Sequence, residues 1–388
     1  MSGNPGIWLF TGAATLFLVG TDVFIVSPLL PAISAEFKAT PAAAGWLVTV
    51  MAVMYACGSP WAGTLFDKLQ ERRSRVLVIG LICFALANLG TALAGSYLFL
   101  LGSRLAAGLS LAAIAPSVYA FIGDLAPAHR RGAWLSVIVS GNLTGLWVGT
   151  PFGTLLAGWG GWRLPFLCIA AGSLLLAFLN GQVWPKKRKN AQRPIAERRP
   201  LGDILRSVLV TILWSMAMYG MYTFLGTALA QLNQFTPAQL AASLTAYGVG
   251  AMLGSLSGGR LADWLGNRPV ATASLLVLVP FLSLVGTLPS SNWLYPLLFL
   301  WAFVGYAFVP SYQSRLSNEF PGETGRIMSW NITGMYIGMT LGSYLGGPVY
   351  QLWGFAALAL ICGGFALGAG VLSWSLGRGI VKRGEVRL

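Results

Sequence analysis

Eleven carboxylates occur in this chain of 388 residues, and only Asp22 falls inside a long apolar stretch. Asp67, Glu71, Asp124, Glu197, Asp203, Asp263, Glu319, Glu323 and Glu385 lie in polar connections or at their edges, and Glu36 lies past the end of the first apolar stretch. An ionised acid in hydrocarbon costs about 2.5–3.5 kcal/mol, so it needs a cavity or a partner. Arg104 is the one base in the interior of an apolar stretch, away from its ends. Burial favours the neutral form of a carboxyl, whereas a guanidinium beside it favours the ionised form. A pair whose spacing changes can therefore take up a proton and release it. The residue types suit reversible protonation, and a purely structural ion pair is the other use of the same groups. The single histidine, His129, falls in a polar connection, so no imidazole competes for that role.

The elements that must hold these residues are membrane helices. Hydrophobic residues make up 56% of the chain and charged residues 9%, against about a quarter charged in soluble domains. Apolar segments long enough to cross a bilayer as helices cover 7–30, 43–66, 76–95, 98–123, 132–157, 164–184, 207–230, 238–261, 269–287, 293–314, 326–348 and 355–377. These segments lack the alternation of barrel strands. The chain therefore reads as an all-α membrane protein with twelve transmembrane helices.

The net charge of +14 follows from orientation. With a cytoplasmic N-terminus, 22 of the 25 Lys and Arg fall in cytoplasmic connections or the C-terminal tail, and Lys38 and Arg163 lie outside. The positive-inside rule then places both termini in the cytoplasm. It also removes the basic surplus as a nucleic-acid signal. In that orientation Asp22 lies about 12 Å from the outer end of span 1 and Arg104 about 9 Å from the outer start of span 4, at 1.5 Å per residue. The acid and the base share a depth, and they are expected to interact directly or through water. The N-terminus lacks a basic region and cleavage site, so span 1 is expected to be retained. Cys57, Cys83, Cys168 and Cys362 lie within spans and read as small packing residues. Trp46, Trp162, Trp184, Trp293 and Trp353 fall at span ends, as belt anchors do.

The chain is doubled. Gly63, Leu65 and Asp67 return 196 residues later as Gly259, Leu261 and Asp263, as do Thr40-Pro41 (Thr236-Pro237) and Gly58-Ser59 (Gly254-Ser255). At an offset of 193, Gly132, Ser136, Gly141, Gly145, Gly149 and Gly153 return as Gly325, Ser329, Gly334, Gly338, Gly342 and Gly346. Residues 1–184 and 207–388 thus read as two pseudo-symmetric six-helix bundles, joined by a basic, proline-containing cytoplasmic linker over 185–206 that touches anionic lipid headgroups. Glycines every fourth residue let a neighbouring helix come close. Pro151 bends the fifth span behind that stripe.

These motifs resemble the major facilitator superfamily and, within it, the twelve-span drug:proton antiporters. Gly63-Thr-Leu-Phe-Asp67-Lys68 with Arg72 and Arg73 is similar to the cytoplasmic signature of the superfamily. Gly259-Arg-Leu-Ala-Asp263-Trp-Leu-Gly266-Asn-Arg268 matches it better, because Gln70 replaces a glycine in the first copy. Arg104 with Leu100 and Gly108 is similar to the family's arginine motif. Gly145, Gly149, Pro151 and Gly153 are similar to its helix-5 antiporter motif, with Thr150 inserted before the proline. Asp22 followed by Pro28 and Pro31 resembles the acidic first helix of drug and sugar exporters.

The resemblance implies two bundles rocking about a central cavity. Gly63, Asp67, Arg72, Arg73, Gly259, Asp263 and Arg268 would form a cytoplasmic gate, with Asp67 facing the start of span 11 near Gly325 and Asp263 the start of span 5 near Gly132. Asp22 with Arg104 would carry the coupling proton. Met218 stands at the repeat position of Asp22, so the second bundle lacks this chemistry. Phe24, Asn142, Trp147, Tyr219, Tyr222, Tyr306 and Tyr336, at mid-depth, would line the cavity, a surface suited to amphipathic ligands. Export of such molecules from a bacterial-type inner membrane, by a monomer coupled to protons, is the leading expectation. Export of one defined metabolite (a sugar or siderophore) and lipid flipping are the alternatives on this scaffold. No nucleophile–base set, phosphate-binding loop or metal-ligand set points to an enzyme or a bound cofactor.

Overall fold

The computed structural model of the chain describes residues 5–68, 73–127, 131–184, 201–232, 234–287, 293–320 and 324–384. Every regular element among them is helical: α1 (Pro5–Phe37), α2 (Pro41–Lys68), α3 (Arg73–Ala92), α4 (Tyr97–Leu125), α5 (Arg131–Thr144), a π-helical turn (Gly145–Gly149), α6 (Thr150–Gly160), α7 (Arg163–Val183), α8 (Leu201–Leu232), α9 (Pro237–Leu265), α10 (Asn267–Gly286), α11 (Leu294–Glu319) and α12 (Thr324–Gly384).

Ten of these described helices are long and apolar enough to cross a membrane. One is the apolar run Trp330–Leu376 within α12. A straight α12 would be about 90 Å long, far beyond the bilayer, and it breaks at Gly354 (φ 78°, ψ −178°). It therefore supplies two spans. The fifth span is divided by the π turn and completes the twelve.

The duplication is visible in backbone conformation. Lys38 (φ 51°) and Gln234 (φ 52°), 196 residues apart, are the two non-glycine residues in the left-handed region among the described residues. Each lies just past a long first helix of its half. Gly161 (φ 77°) and Gly354 (φ 78°), 193 apart, turn the chain from the fifth span to the sixth and from the eleventh to the twelfth. The repeated Thr-Pro pairs start α2 and α9, with proline at the first helical position. Thr40 Oγ1 accepts from Ala43 N at 3.2 Å. Thr236 and Gln239 form a reciprocal capping box, at 2.9 Å from Thr236 N to Gln239 Oε1 and 3.3 Å from Gln239 N to Thr236 Oγ1. Gly266 (φ 94°) ends α9 in a turn so short that α10 begins at the next residue.

The chain divides into two compact units, Met1–Gln192 with Gln234–Thr245, and Arg193–Asn233 with Ala246–Leu388. In the first, α1 packs against α2, α4, α5, the π turn, α6 and α7, and α3 packs against α4 and α7. Thr11, Thr15 and Thr21 of α1 donate their hydroxyls to carbonyls four residues back, at 2.8, 2.7 and 2.8 Å, so these three hydroxyls need no partner on another helix. In the second unit, α8 packs against α12, and α10 packs against α11 and α12.

Two expectations need correction. Cys57, Cys83 and Cys168 are exposed and only Cys362 is buried, because the first three sit on outward helix faces that hydrocarbon covers as readily as protein does. Trp46, Trp293 and Trp353 are exposed as belt anchors require, but Trp162 and Trp184 are buried. Trp162 donates to Glu36 Oε2 at 2.8 Å. Trp184 donates to Asn180 Oδ1 and stacks on Phe121 with centroids 4.8 Å apart. A polar partner inside the protein outcompetes the interface for an indole N–H.

Candidate functional site

Asp22 and Arg104 meet in the first unit. Arg104 Nη1 donates to Asp22 Oδ1 at 2.9 Å and Nη2 to Oδ2 at 2.8 Å, a bidentate pair. The side chains are 0% and 1% exposed. Depth along two helices suggested the contact; the structure supplies its geometry. Nη2 also lies against the Met51 sulfur, the guanidinium carbon stands 5.5 Å from the Phe166 ring centroid, and buried Nε has no hydrogen-bond partner among the described residues. Arg104 thus has soft contacts on two sides and one strong partner. Both carboxylate oxygens of Asp22 are engaged.

The residue before Asp22 touches the π turn. A Cβ on Gly145 would stand 2.5 Å from Thr21 N and 2.7 Å from Phe17 O, and one on Gly149 would overlap the Thr21 hydroxyl. The stripe therefore brings α1 against the fifth span at the level of the ion pair. The π turn has a local cause. Thr150 N–H and Thr150 Oγ1, at 3.1 Å, both donate to Gly145 O, five residues back. Pro151 has no N–H to give. One extra residue before a proline is accommodated as a wide turn. Apolar periodicity carried no sign of this, although the inserted Thr150 did. In the second unit the corresponding Gly338 and Gly342 meet the backbone of α8 at Ile212, Met216 and Gly220.

Of the expected cavity residues, Phe24 is buried on α1, Asn142 is half-buried with its side-chain oxygen against Gly20, and Trp147 is half-buried in the π turn with its Nε1 unpartnered among the described residues. Tyr336 is half-buried on α12. Tyr219, Tyr222 and Tyr306 come together in the second unit with Trp214, Tyr247 and Trp301. Ring centroids are 6.0 Å apart for Trp214–Tyr219 and Trp214–Tyr306, 5.0 Å for Tyr222–Tyr247, 4.7 Å for Tyr247–Trp301 and 6.3 Å for Tyr247–Tyr306. Met218, opposite Asp22 in the repeat, is buried with its thioether over Gly305. The second unit thus has an apolar side chain where the first has a carboxylate.

The expected cytoplasmic gate is described in part. Asp263 is exposed at the end of α9. Gly259 lies one turn before it. Arg268 donates to Trp374 O at 2.7 Å and lies 5.6 Å from that ring, tying α10 to α12. Arg72 and the side chains at Gly63, Asp67, Arg73, Gly132 and Gly325 lie outside the described residues. The sequence reading missed Arg315, which follows span 10 and is 3% exposed. Its Nε donates to Glu319 at 2.7 Å, and its Nη1 to Ser373 O and Ser373 Oγ at 3.0 Å. Helix α11 runs five residues past its apolar stretch, and its polar end is covered by α12. Tyr247, Trp301 and Trp214 were also missed, although each is a mid-span aromatic. Among the described residues, no group of three or more His, Cys, Asp or Glu could hold a metal.

The family model described as Major Facilitator Superfamily matches residues 12–232 and 208–383. An uncharacterized MFS-type transporter of Bacillus subtilis, YwfA, is 30% identical over 372 residues, covering 92% of this chain and 89% of the relative. A chloramphenicol resistance protein of Streptomyces lividans is 26% identical, covering 86% of each chain. A probable sugar efflux transporter of Helicobacter acinonychis is also 26% identical, covering 94% of this chain and 93% of the relative. Among solved structures, a bacterial homologue of the human lysosomal transporter Spinster, inward-facing and occupied, superposes with a TM-score of 0.79 at 16% identity, covering 96% of this chain and 97% of that one.

Proposed function

The chain belongs to the Major Facilitator Superfamily and is a multi-pass membrane transporter, and from that premise we propose that it is a proton-coupled antiporter exporting small amphipathic molecules. The observation that carries this reading is the fully buried bidentate pair between Asp22 and Arg104. The guanidinium occupies one lone pair on each carboxylate oxygen and holds the negative charge in place. Parting the pair leaves the acid in an apolar site, where it takes a proton. Arg104 then rests on the Phe166 face and Met51, which lowers the cost of separation. Proton binding and ion pairing are alternative states of Asp22.

The contact of Gly145 and Gly149 with Thr21 supports coupling to helix motion. A shift of the fifth span about its π turn moves the residue beside Asp22. Alternating exposure of the site would then load a proton on one side and release it on the other. In this reading, Asp67 and Asp263 serve the cytoplasmic gate, with Gly63, Arg72, Arg73, Gly259 and Arg268. Both termini face the cytoplasm of a bacterial-type inner membrane, and the monomer suffices.

Relatives named for chloramphenicol resistance and for sugar efflux favour export, and they keep a single-metabolite exporter as the second reading. Uptake of labelled chloramphenicol and of labelled sugars into inside-out vesicles, with and without an inward-acidic pH gradient, separates the two. The antiporter reading expects gradient-driven uptake in the wild type and none with Asp22→Asn. Gradient-driven uptake retained by Asp22→Asn contradicts it.

A further inference from the structure

Two polar atoms of opposite kind are left over in the first unit. Arg104 Nε is a buried donor and Asn88 Oδ1 a buried acceptor, and neither has a hydrogen-bond partner among the described residues. Native proteins keep few such groups. Asn88 is also out of character with its row. Leu77, Leu81, Phe84, Asn88 and Thr91 recur every three or four residues along α3, and each is 0% exposed, so this face looks into the unit. Thr91 satisfies itself by donating to Ala87 O at 3.0 Å. Asn88 does so by half: Nδ2 donates to Phe84 O at 3.1 Å, which fixes the amide and turns its oxygen away from that carbonyl.

Helix register sets this oxygen near the ion pair. A Cβ on Gly90 would stand 2.8 Å from Ser103 Oγ, and one on Gly80 would stand 3.4 Å from Ala113 Cβ. The helices α3 and α4 therefore run antiparallel, with residues 90 and 80 beside 103 and 113. Asn88 then falls beside residue 105, within about 2 Å of the height of Arg104 at 1.5 Å per residue. The third helix of this corner is α7, which packs on α3 and lays Phe166 against the guanidinium. Among the described residues, Asp22 is the charged group that Arg104 meets. Helix α2 brings Met51 and, one turn on, Tyr55, while Cys57, Cys83 and Cys168 of α2, α3 and α7 are exposed.

Protonation of Asp22 changes what Arg104 needs. An ionised carboxylate offers acceptors on both oxygens, whereas a protonated one turns a hydroxyl donor toward its partner. The guanidinium keeps its charge in every state. Phe166 and Met51 give it a ring face and a sulfur, and neither is a strong acceptor. An amide oxygen is. We infer that Asn88 is a positioning residue and the second seat of Arg104, which donates to Asn88 Oδ1 when Asp22 is neutral and returns when Asp22 ionises. A proton from the aqueous side binds Asp22 as Arg104 crosses to Asn88, and it leaves to the opposite side as Arg104 comes back. Arg104 itself neither gains nor loses a proton. The inference rests on the reading of Asp22 as the proton site.

The test uses Asp22→Asn as a stand-in for the neutral acid, since both present one acceptor and one donor. Unfolding of the purified full-length protein in mixed micelles by added denaturing detergent gives the folding equilibrium constant. Asn88→Leu extends the apolar row, and Asn88→Ala serves as a second, smaller probe. Each probe is measured in wild type, in Asp22→Asn, and in Asp22→Asn with Arg104→Gln, so that a packing loss common to all three cancels. Both probes should lower the folding constant about 10-fold more in Asp22→Asn than in wild type, the weight of a hydrogen bond to a charged group. The extra loss should vanish once Arg104 is replaced. Equal losses in all three backgrounds, as a purely structural Asn88 gives, or an extra loss that persists without Arg104, would overturn the inference. Neither result depends on uptake by Asp22→Asn, which tests the proton-site reading separately.

Discussion

Replacing Asp22 by Asn keeps the shape of the side chain and removes its charge. In the wild type, Arg104 donates to both carboxylate oxygens at 2.9 and 2.8 Å in a site from which water is excluded. Asn offers one acceptor oxygen and turns an NH₂ toward a group that only donates. Removing one member of a buried pair costs about 3–5 kcal/mol, because the remaining charge is uncompensated. The Phe166 face and the Met51 sulfur offset part of this, so a loss of about 2–4 kcal/mol is expected. Arg104→Gln should cost less at neutral pH. The carboxyl it strands can neutralise itself by taking a proton, whereas a guanidinium cannot lose one. Asp22→Asn combined with Arg104→Gln leaves two amides that can bond each other, and should recover about 2 kcal/mol relative to the sum of the single changes. Unfolding of purified protein in mixed micelles by added denaturing detergent measures all four corners. Stability of Asp22→Asn within about 0.5 kcal/mol of wild type, or single effects that simply add, would refute the buried-pair reasoning.

Three further outcomes follow from the first unit. Gly149→Val drives a side chain into the Thr21 hydroxyl; it should cost about 1–3 kcal/mol and abolish transport, which a melting curve and vesicle uptake together report. Thr150→Val removes the hydroxyl bond to Gly145 O at 3.1 Å but keeps its size, so stability should fall by about 1 kcal/mol in the same melting assay. Arg163→Gln breaks an ion pair with Glu36 whose members are 37% and 40% exposed. It should cost under about 1 kcal/mol and leave uptake unchanged, which makes it the control for charge removal as such.

Much of this architecture was legible because the membrane imposes length and polarity on every span. The Thr-Pro pairs, the glycine stripes and the Gly-Leu-Asp copies gave the duplication directly. Asp22 and Arg104 could be matched because depth along a helix is arithmetic. Azimuth is not, and the rest depended on it. Tyr219 and Tyr306 looked like any mid-span aromatics until the packing of α8, α9 and α11 joined them through Tyr247 and Trp301. Trp162 and Trp184 sit at span ends, as belt anchors do, but Glu36 and Asn180 supply partners inside the protein. Arg315 is polar by sequence and buried because α12 covers the end of α11. The π turn needed the backbone itself, since the inserted Thr150 shows an irregularity without saying how the helix absorbs it.

The central claim is that protonation of Asp22 drives transport, and vesicle uptake with and without a pH gradient addresses it most directly. Wild-type protein should accumulate substrate only when the gradient is present. Asp22→Asn should lose gradient-driven uptake while still exchanging substrate down its own gradient. Uptake by Asp22→Asn that still follows the pH gradient would contradict the account.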